Sequence, residues 1–125
     1  TLNGNVAATR VITSTVFNGL FDVFVDANDR MYVVDVIDDQ VHVFNNASTL
    51  NGNVAPSVTL TIPGAGQLTA IAVDRQGVGY VVDNTLNAVY SYDNIASRNG
   101  TVTPDRVLQG ANTQLTNPIR VFLLE

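Results

Sequence analysis

Short apolar runs separated by polar turns return along this chain at a fixed spacing of 48 residues. The stretch Phe24-Val-Asp-Ala-Asn-Asp-Arg-Met-Tyr-Val-Val-Asp35 returns as Ala72-Val-Asp-Arg-Gln-Gly-Val-Gly-Tyr-Val-Val-Asp83. Each copy reads as an apolar strand, a tight polar turn and a second apolar strand that ends in aspartate. No stretch of useful length has the period of an amphipathic helix, so the pattern predicts an all-β repeat protein.

The repeat continues outside this stretch without an insertion. Thr1-Leu-Asn-Gly-Asn-Val-Ala7 recurs unchanged as Thr49-Leu-Asn-Gly-Asn-Val-Ala55, and Asn99-Gly100 belongs to a looser third copy. The 125 residues divide into the end of one unit at 1–20, complete units at 21–68 (the first repeat) and 69–116 (the second repeat), and the start of another at 117–125. Units of this length built only from strands are typical of β-propeller blades.

Four strands are predicted in each repeat. The first is short and mostly apolar, as expected of a strand covered on both faces, and turns rich in Asp, Asn and Gly separate the strands. The predicted strands are 22–26, 31–36, 41–45 and 57–62 in the first repeat, and 70–74, 79–83, 88–92 and 106–109 in the second.

Each end of the chain matches a single strand. Residues 9–15 match the fourth strand of a unit, and residues 119–124 match the first strand of another. The predicted fold is therefore a β-propeller segment, with two complete four-stranded blades and one flanking strand at each end. Because the sequence starts at Thr1 without a methionine, we expect a processed product, a fragment or the ordered part of a longer protein.

Several segments resemble the NHL-type repeat of six-bladed β-propellers. They are Ile71-Ala-Val-Asp74, Gly77, Tyr80-Val-Val-Asp83 and Asn87-Ala-Val-Tyr90, with Val23-Phe-Val-Asp26, Tyr32-Val-Val-Asp35 and Gln40-Val-His-Val43 in the first repeat. The Asn-Ala-Ser-Thr-Leu-Asn-Gly-Asn segment at 46–53 is similar to the links between blades in bacterial propeller proteins. The Pro-x-Gly that often precedes the first strand is missing from both repeats, and the repeat is longer than usual.

The resemblance implies a scaffold more than a particular reaction. NHL-like propellers mostly bind proteins, sugars or other ligands, while related six-bladed propellers include lactonases and sugar-acid hydrolases. Those hydrolases hold calcium near the central axis with Glu, Asn and Asp from several blades. The only glutamate here is Glu125, so no catalytic residue, metal ligand or cofactor is carried over to this chain.

Composition narrows the choice of partner. The net charge is −5, every basic residue is arginine and no basic stripe is present, which argues against nucleic acid and against an anionic membrane surface. The absence of cysteine excludes disulfides and thiolate sites, and no apolar run is long enough to cross a bilayer. The Asn- and Thr-rich, lysine-free sequence favours a secreted or cell-surface bacterial protein, with sequons at Asn46 and Asn99 that could accept a glycan.

Two groups of acidic residues have competing interpretations. Asp26, Asn28 and Asp29 cluster oxygens as a calcium loop does, but the full loop pattern is absent and a hairpin turn is favoured. Asp35 and Asp83 recur at one position of the repeat, which favours carboxylates that accept backbone N–H bonds in the following turn over a ligand role.

The candidate ligand face consists of the turns at 37–40 and 84–87, together with the links at 13–20, 63–68 and 110–118. We name Asp38, Asp39, Asn84 and Asn87 as its candidate residues. The Asp38–Asp39 pair is either a metal or substrate contact or a solvated turn. His42, the only histidine, lies in an alternating strand and is predicted to be a surface residue.

These observations favour a non-enzymatic β-propeller scaffold for protein or ligand binding. The alternatives are a lactonase-like or sugar-acid hydrolase with its metal site in other blades, and a structural subunit of a surface assembly. Two blades alone would expose strand edges and apolar faces. We therefore expect further blades of the same chain, other copies or a partner protein to cover them.

Overall fold

The computed structural model describes residues 3–125 and contains mainly β-structure, 37% strand and 7% helix. Its strands in chain order are β1 (Ile12–Thr13), β2 (Leu20–Val25), β3 (Met31–Asp35), β4 (Gln40–Phe44), β5 (Gly52–Asn53), β6 (Val58–Thr61), β7 (Leu68–Val73), β8 (Gly79–Asp83), β9 (Ala88–Tyr92), β10 (Gly100–Thr101) and β11 (Arg106–Leu108). The all-β prediction is confirmed, and no closed sheet is present among these residues.

Each repeat forms an antiparallel sheet in which strands follow one another in chain order. The first repeat contributes β2-β3-β4-β6 and the second β7-β8-β9-β11. Strand β10 of the second repeat pairs in parallel with β6, so the full order of the first sheet is β10-β6-β4-β3-β2. All eight strands predicted within the repeats form, although β2 and β7 begin two residues earlier than expected. A break in register between Leu20 and Asp22, repeated between Leu68 and Ala70, allows these extra residues to pair.

The flanking strands were predicted less well. Only Ile12–Thr13 of the predicted strand at 9–15 is a strand, and no strand forms at 119–124. This last segment lies beside β7, because Thr69 Oγ1 donates to the Pro118 carbonyl and the Arg75 N–H donates to Glu125 Oε1. A first strand gains its ladder from the second strand of its own unit, and no described residue pairs with residues 119–124 in such a ladder.

The prediction of essentially no helix missed three short turns of 3₁₀-helix. They lie at Ala47–Thr49, Ile95–Ser97 and Ala111–Thr113. Ile95 is fully buried, and a Cβ added to Gly79 would overlap its Cδ1 atom. In the first repeat the position of Gly79 is taken by Met31 and the position of Ile95 by Ala47. The large residue therefore lies in the strand in the first repeat and in the 3₁₀ turn in the second.

One hydrophobic core joins the two sheets. The first sheet contributes alternate residues of neighbouring strands, and the second sheet contributes the residues opposite them; the main members are Tyr32, Val34, Val41, Val43, Leu60, Ile71, Val73, Val81 and Tyr90. Strand β7 packs against both β2 and β3. Because these side chains are buried only when the sheets face each other, the stack is the main source of stability.

A polar contact also crosses between the sheets at their innermost strands. Asp22 Oδ2 accepts a hydrogen bond of 3.0 Å from the backbone N–H of Ile71. The position equivalent to Asp22 in the second repeat is Ala70, so this contact belongs to one interface alone. The carboxylate satisfies a donor that the ladder of β7 leaves free.

Large apolar surfaces remain exposed on both outer sides of the stack. On the first sheet Leu20, Phe21, Val23 and Val25 are each more than half exposed, and the first three border an open hollow of about 340 Å³. Beside the second sheet Phe122 and Leu124 are 81% and 91% exposed. Exposed apolar patches on folded proteins are often sites of interaction.

We expect Asp22→Ala to lower the free energy of unfolding by about 1 kcal/mol, because the N–H of Ile71 loses its acceptor. Asp22→Asn, the matched control, keeps an acceptor oxygen and should have the smaller effect. Urea denaturation of the three proteins measures the difference. Equal midpoints for Asp22→Ala and the wild type would contradict this role.

Candidate functional site

A buried aspartate at the end of β3 organises the candidate ligand face. Asp35 is fully buried, and its carboxylate accepts four backbone hydrogen bonds. The donors in the incoming link are the N–H groups of Asn18 (2.7 Å) and Gly19 (3.0 Å). Those in the following turn are the N–H groups of Ile37 (3.1 Å) and Asp38 (3.4 Å). One side chain therefore joins the link before β2 to the turn after β3.

The same arrangement recurs in the second repeat. Asp83 is fully buried and accepts from the N–H groups of Gly66 at 2.7 Å, Gln67 at 3.3 Å and Leu86 at 2.9 Å. The Tyr90 hydroxyl is a fourth donor to this carboxylate and lies 2.9 Å from Asp83 Oδ2. Burial and the Asp83 charge raise the pKa of Tyr90, so the hydroxyl keeps the proton that it donates.

Burial alone would raise the pKa of Asp35, but the backbone N–H donors outweigh it and hold this pKa below its usual value. The carboxylate is therefore ionised at neutral pH and has its oxygens occupied by donors of its own chain. The predicted structural role of Asp35 and Asp83 is confirmed for the turn that follows each strand. The donors in the preceding links were not predicted.

The acidic pair of the first turn is split between two environments. Asp38 is exposed, and its Oδ1 accepts a long bond of 3.4 Å from the Asn18 side chain. Asp39 has a left-handed backbone with φ of 52° and a buried Oδ1 atom without a partner among the described residues. Burial and the charges of Asp83, Asp38 and Asp35 raise the pKa of Asp39, while the N–H of Leu68 offsets part of this rise.

The two candidate asparagines bind the chain itself. Asn84 Nδ2 donates to the Pro118 carbonyl at 3.3 Å, and Asn87 Oδ1 accepts from the Asn117 N–H at 2.7 Å. Both therefore fasten the segment at 117–118 to the second turn. Asn87 also adopts a left-handed conformation, φ 53°, at the position equivalent to Asp39.

A hollow of about 420 Å³ opens beside the second turn. Its lining includes Leu86, Asn87, Gln109 and Leu115. Of the four candidate residues only Asn87 borders it. The N–H of Leu68 donates to Asp39, and Leu68 pairs with Asp83 at the end of β8, so the two turns lie at the same end of the stacked sheets. Together they present the exposed carboxylate of Asp38 and the half-buried amide of Asn87, which suit hydrogen-bonding recognition.

The cluster at Asp26, Asn28 and Asp29 forms a hairpin turn, as favoured. Asp26 Oδ1 accepts from the N–H groups of Asn28 and Arg30, and its Oδ2 accepts from the Tyr32 hydroxyl at 2.9 Å. Asp74 repeats these three contacts in the second repeat. Within the described residues, no group of three or more His, Cys, Asp or Glu side chains is arranged to hold a metal ion.

The prediction of a surface position for His42 is wrong. His42 is fully buried, its Nδ1 lies 3.0 Å from Thr59 Oγ1, and the Phe17 ring lies 6.0 Å away. Alternation in β4 suggested one exposed face, but the segment before β2 folds over that face and covers it. His42 Nε2 has no partner in the part of the chain that the structure describes. This desolvation lowers the pKa of His42 against the opposing charges of Asp35 and Asp38.

Comparison with known proteins adds no identity. No family model matches the chain, and no curated protein matches it. Within residues 3–125, no helix has the length and apolar character needed to cross a membrane.

We expect Asp35→Asn to lower the free energy of unfolding by about 2 kcal/mol, because an amide offers one acceptor oxygen and turns an NH₂ group toward a backbone donor. Asp38→Asn, three residues away and exposed, should change it by less than about 0.5 kcal/mol. Chemical denaturation at pH 7 measures both variants. Equal losses in the two would refute the role given to Asp35.

The buried imidazole predicts a loss of stability in mild acid. The pKa of His42 is lowered in the folded state, so the unfolded chain binds the proton more readily. The contribution of the neutral imidazole to the free energy of unfolding is complete above the ordinary histidine pKa of about 6.5 and is lost as the pH drops below it. Denaturation curves between pH 7.5 and 5.5 measure this slope, and His42→Gln should flatten it. The same slope in the variant would assign the effect to other groups.

Proposed function

We propose that this chain is a segment of a β-propeller of the NHL-like kind and that it serves as a non-enzymatic scaffold for binding a protein or another ligand. The observation that carries the proposal is the stack of two four-stranded antiparallel units, repeated every 48 residues, with apolar surface exposed on both outer sides. A stack that ends in apolar faces is incomplete, and further units of the same kind would bury them.

The path of the chain supports a radial arrangement. Each repeat starts at the strand that packs nearest the neighbouring repeat, since β2 and β7 lie against each other. Each then moves outward through successive antiparallel strands to β6 or β11. Sheets that succeed one another in this way, with their first strands adjacent, are how propeller blades surround a central channel.

The proposed ligand face is the end of the stack that carries the turns at 37–40 and 84–87. Asp35 and Asp83 are occupied by backbone donors, so they shape this face and do not contact a ligand. Asp38 is exposed and Asn87 borders the hollow of about 420 Å³. Carboxylate and amide groups in such a place suit a ligand with hydroxyl, amide or cationic groups.

The proposed setting is extracellular or at the bacterial cell surface, as the Asn- and Thr-rich, lysine-free composition suggests. The partners that would cover the exposed faces are further blades, other copies or another protein. A structural subunit of a surface assembly is the second candidate. The observation that favours it is the open outer edge of β11, since unpaired edges join readily to other chains.

We expect the protein isolated from its source to form a closed ring of about four to eight sheets. Native mass spectrometry gives the number of sheets per particle, and small-angle scattering distinguishes a disc from a short open stack. A particle of 13.4 kDa whose scattering fits two stacked sheets would contradict the propeller proposal.

Calcium separates the scaffold from the hydrolase alternative. For a scaffold we expect the melting temperature to be the same with calcium and with a chelator, and simple lactones to remain intact. A metal bound only by the folded state would raise the melting temperature. A calcium-dependent rise in the melting temperature together with lactone hydrolysis would contradict the scaffold and favour the hydrolase.

A further inference from the structure

An Asn-Gly segment of the second repeat is attached to the outer strand of the first. Strand β10 pairs in parallel with β6, with Gly100 opposite Leu60. Asn99 Oδ1 accepts from the N–H of Thr59 at 3.1 Å, and the N–H of Val102 donates to the Thr61 carbonyl at 3.2 Å. We call this set of contacts the Asn-Gly clip.

The same clip occurs 48 residues earlier. Strand β5 pairs in parallel with β1, with Gly52 opposite Ile12. Asn51 Oδ1 accepts from the N–H of Val11 at 3.0 Å, and the N–H of Val54 donates to the Thr13 carbonyl at 2.9 Å. Two independent instances with the same register show that the sequence Asn-Gly-x-Val recognises the outer edge of such a strand.

A third outer edge has no clip. Strand β11 is the equivalent of β6 and forms the edge of the second sheet, where no described residue pairs with its outer side. The N–H equivalent to those of Val11 and Thr59 belongs to Val107. Val107 and Leu108 are 50% and 56% exposed.

Near the other end of the chain lies a clip sequence that pairs with no strand among the described residues. Asn3-Gly4-Asn5-Val6 has the same sequence as the clip at 51–54 and is exposed. Gly4 has φ of 78°, close to the 79° of Gly52 and the 82° of Gly100. The segment therefore already has the left-handed glycine conformation found in both engaged clips, which reduces the entropy lost on binding.

We propose that the Asn3–Val6 segment of one molecule binds the outer edge of β11 in a second copy, in a head-to-tail association. By the register of the two internal clips, Gly4 lies opposite Leu108 of the second copy, and Asn3 Oδ1 accepts from its Val107 N–H. The contact is a strand added in parallel to a free edge. It is heterologous, so an open chain of copies keeps one free clip and one free edge, whereas a chain that closes into a ring keeps neither. It does not require a closed ring.

Sedimentation velocity of the 125-residue protein over a range of concentrations tests this association. We expect self-association that Asn3→Ala weakens about fivefold, the effect of one lost hydrogen bond. Asn5→Ala, two residues away, is the matched control and should leave it unchanged. Val107→Pro removes the N–H at an edge where proline is tolerated, and Val107→Thr retains it. Circular dichroism verifies that each variant folds.

A mixture distinguishes this contact from association through the apolar faces. Asn3→Ala retains an intact edge, and Val107→Pro retains an intact clip. Mixed together, the two variants should form heterodimers as readily as the wild type self-associates, although each alone associates weakly. A wild-type protein that stays monomeric at every concentration, or an association that Asn3→Ala leaves unchanged, overturns the proposal.

Discussion

The buried aspartate at the end of the second strand of each repeat is the interaction on which the other features depend. Asp35 and Asp83 accept the hydrogen bonds that buried backbone N–H groups would otherwise make to water. In each repeat these N–H groups belong to the link before the first strand and to the turn after the second strand, which are distant in sequence. A charged acceptor suits this task because hydrogen bonds to an ionised group are stronger than those between neutral groups. Removing either carboxylate would leave several donors buried without acceptors, so the loops and the turn would lose their fixed relation.

The apolar stack and these polar contacts have different roles. Burial of residues such as Val34, Val43 and Val81 holds the sheets together, but it sets no register by itself. Directional contacts set that register: Asp22 with Ile71 at the inner strands, and the Asn-Gly clips at the outer strands. The two complete repeats are thus joined to each other at both their inner and their outer strands.

The four candidate residues of the proposed ligand face differ in whether they are available to contact a ligand. Sequence placed Asp38, Asp39, Asn84 and Asn87 in turns of the same kind. The contact between Asp39 and Leu68, which pairs with Asp83, brings both turns to one end of the stack. It also shows that both asparagines hold the segment at 117–118. No sequence pattern indicated those bonds, because their acceptor and donor lie some 30 residues away in a segment without regular structure.

The sequence by itself determined the repeat length, the strands within each repeat and the residues of the turns, since these follow from local alternation and from turn chemistry. The tertiary structure alone decided which faces are covered. His42 is buried because Phe17 comes from outside its repeat, and residues 119–124 form no strand because a strand requires a neighbour. The parallel pairing of the Asn-Gly segments is likewise a contact between repeats. A sequence pattern reflects the local conformational preference of each residue, whereas burial and edge pairing depend on contacts with other parts of the chain.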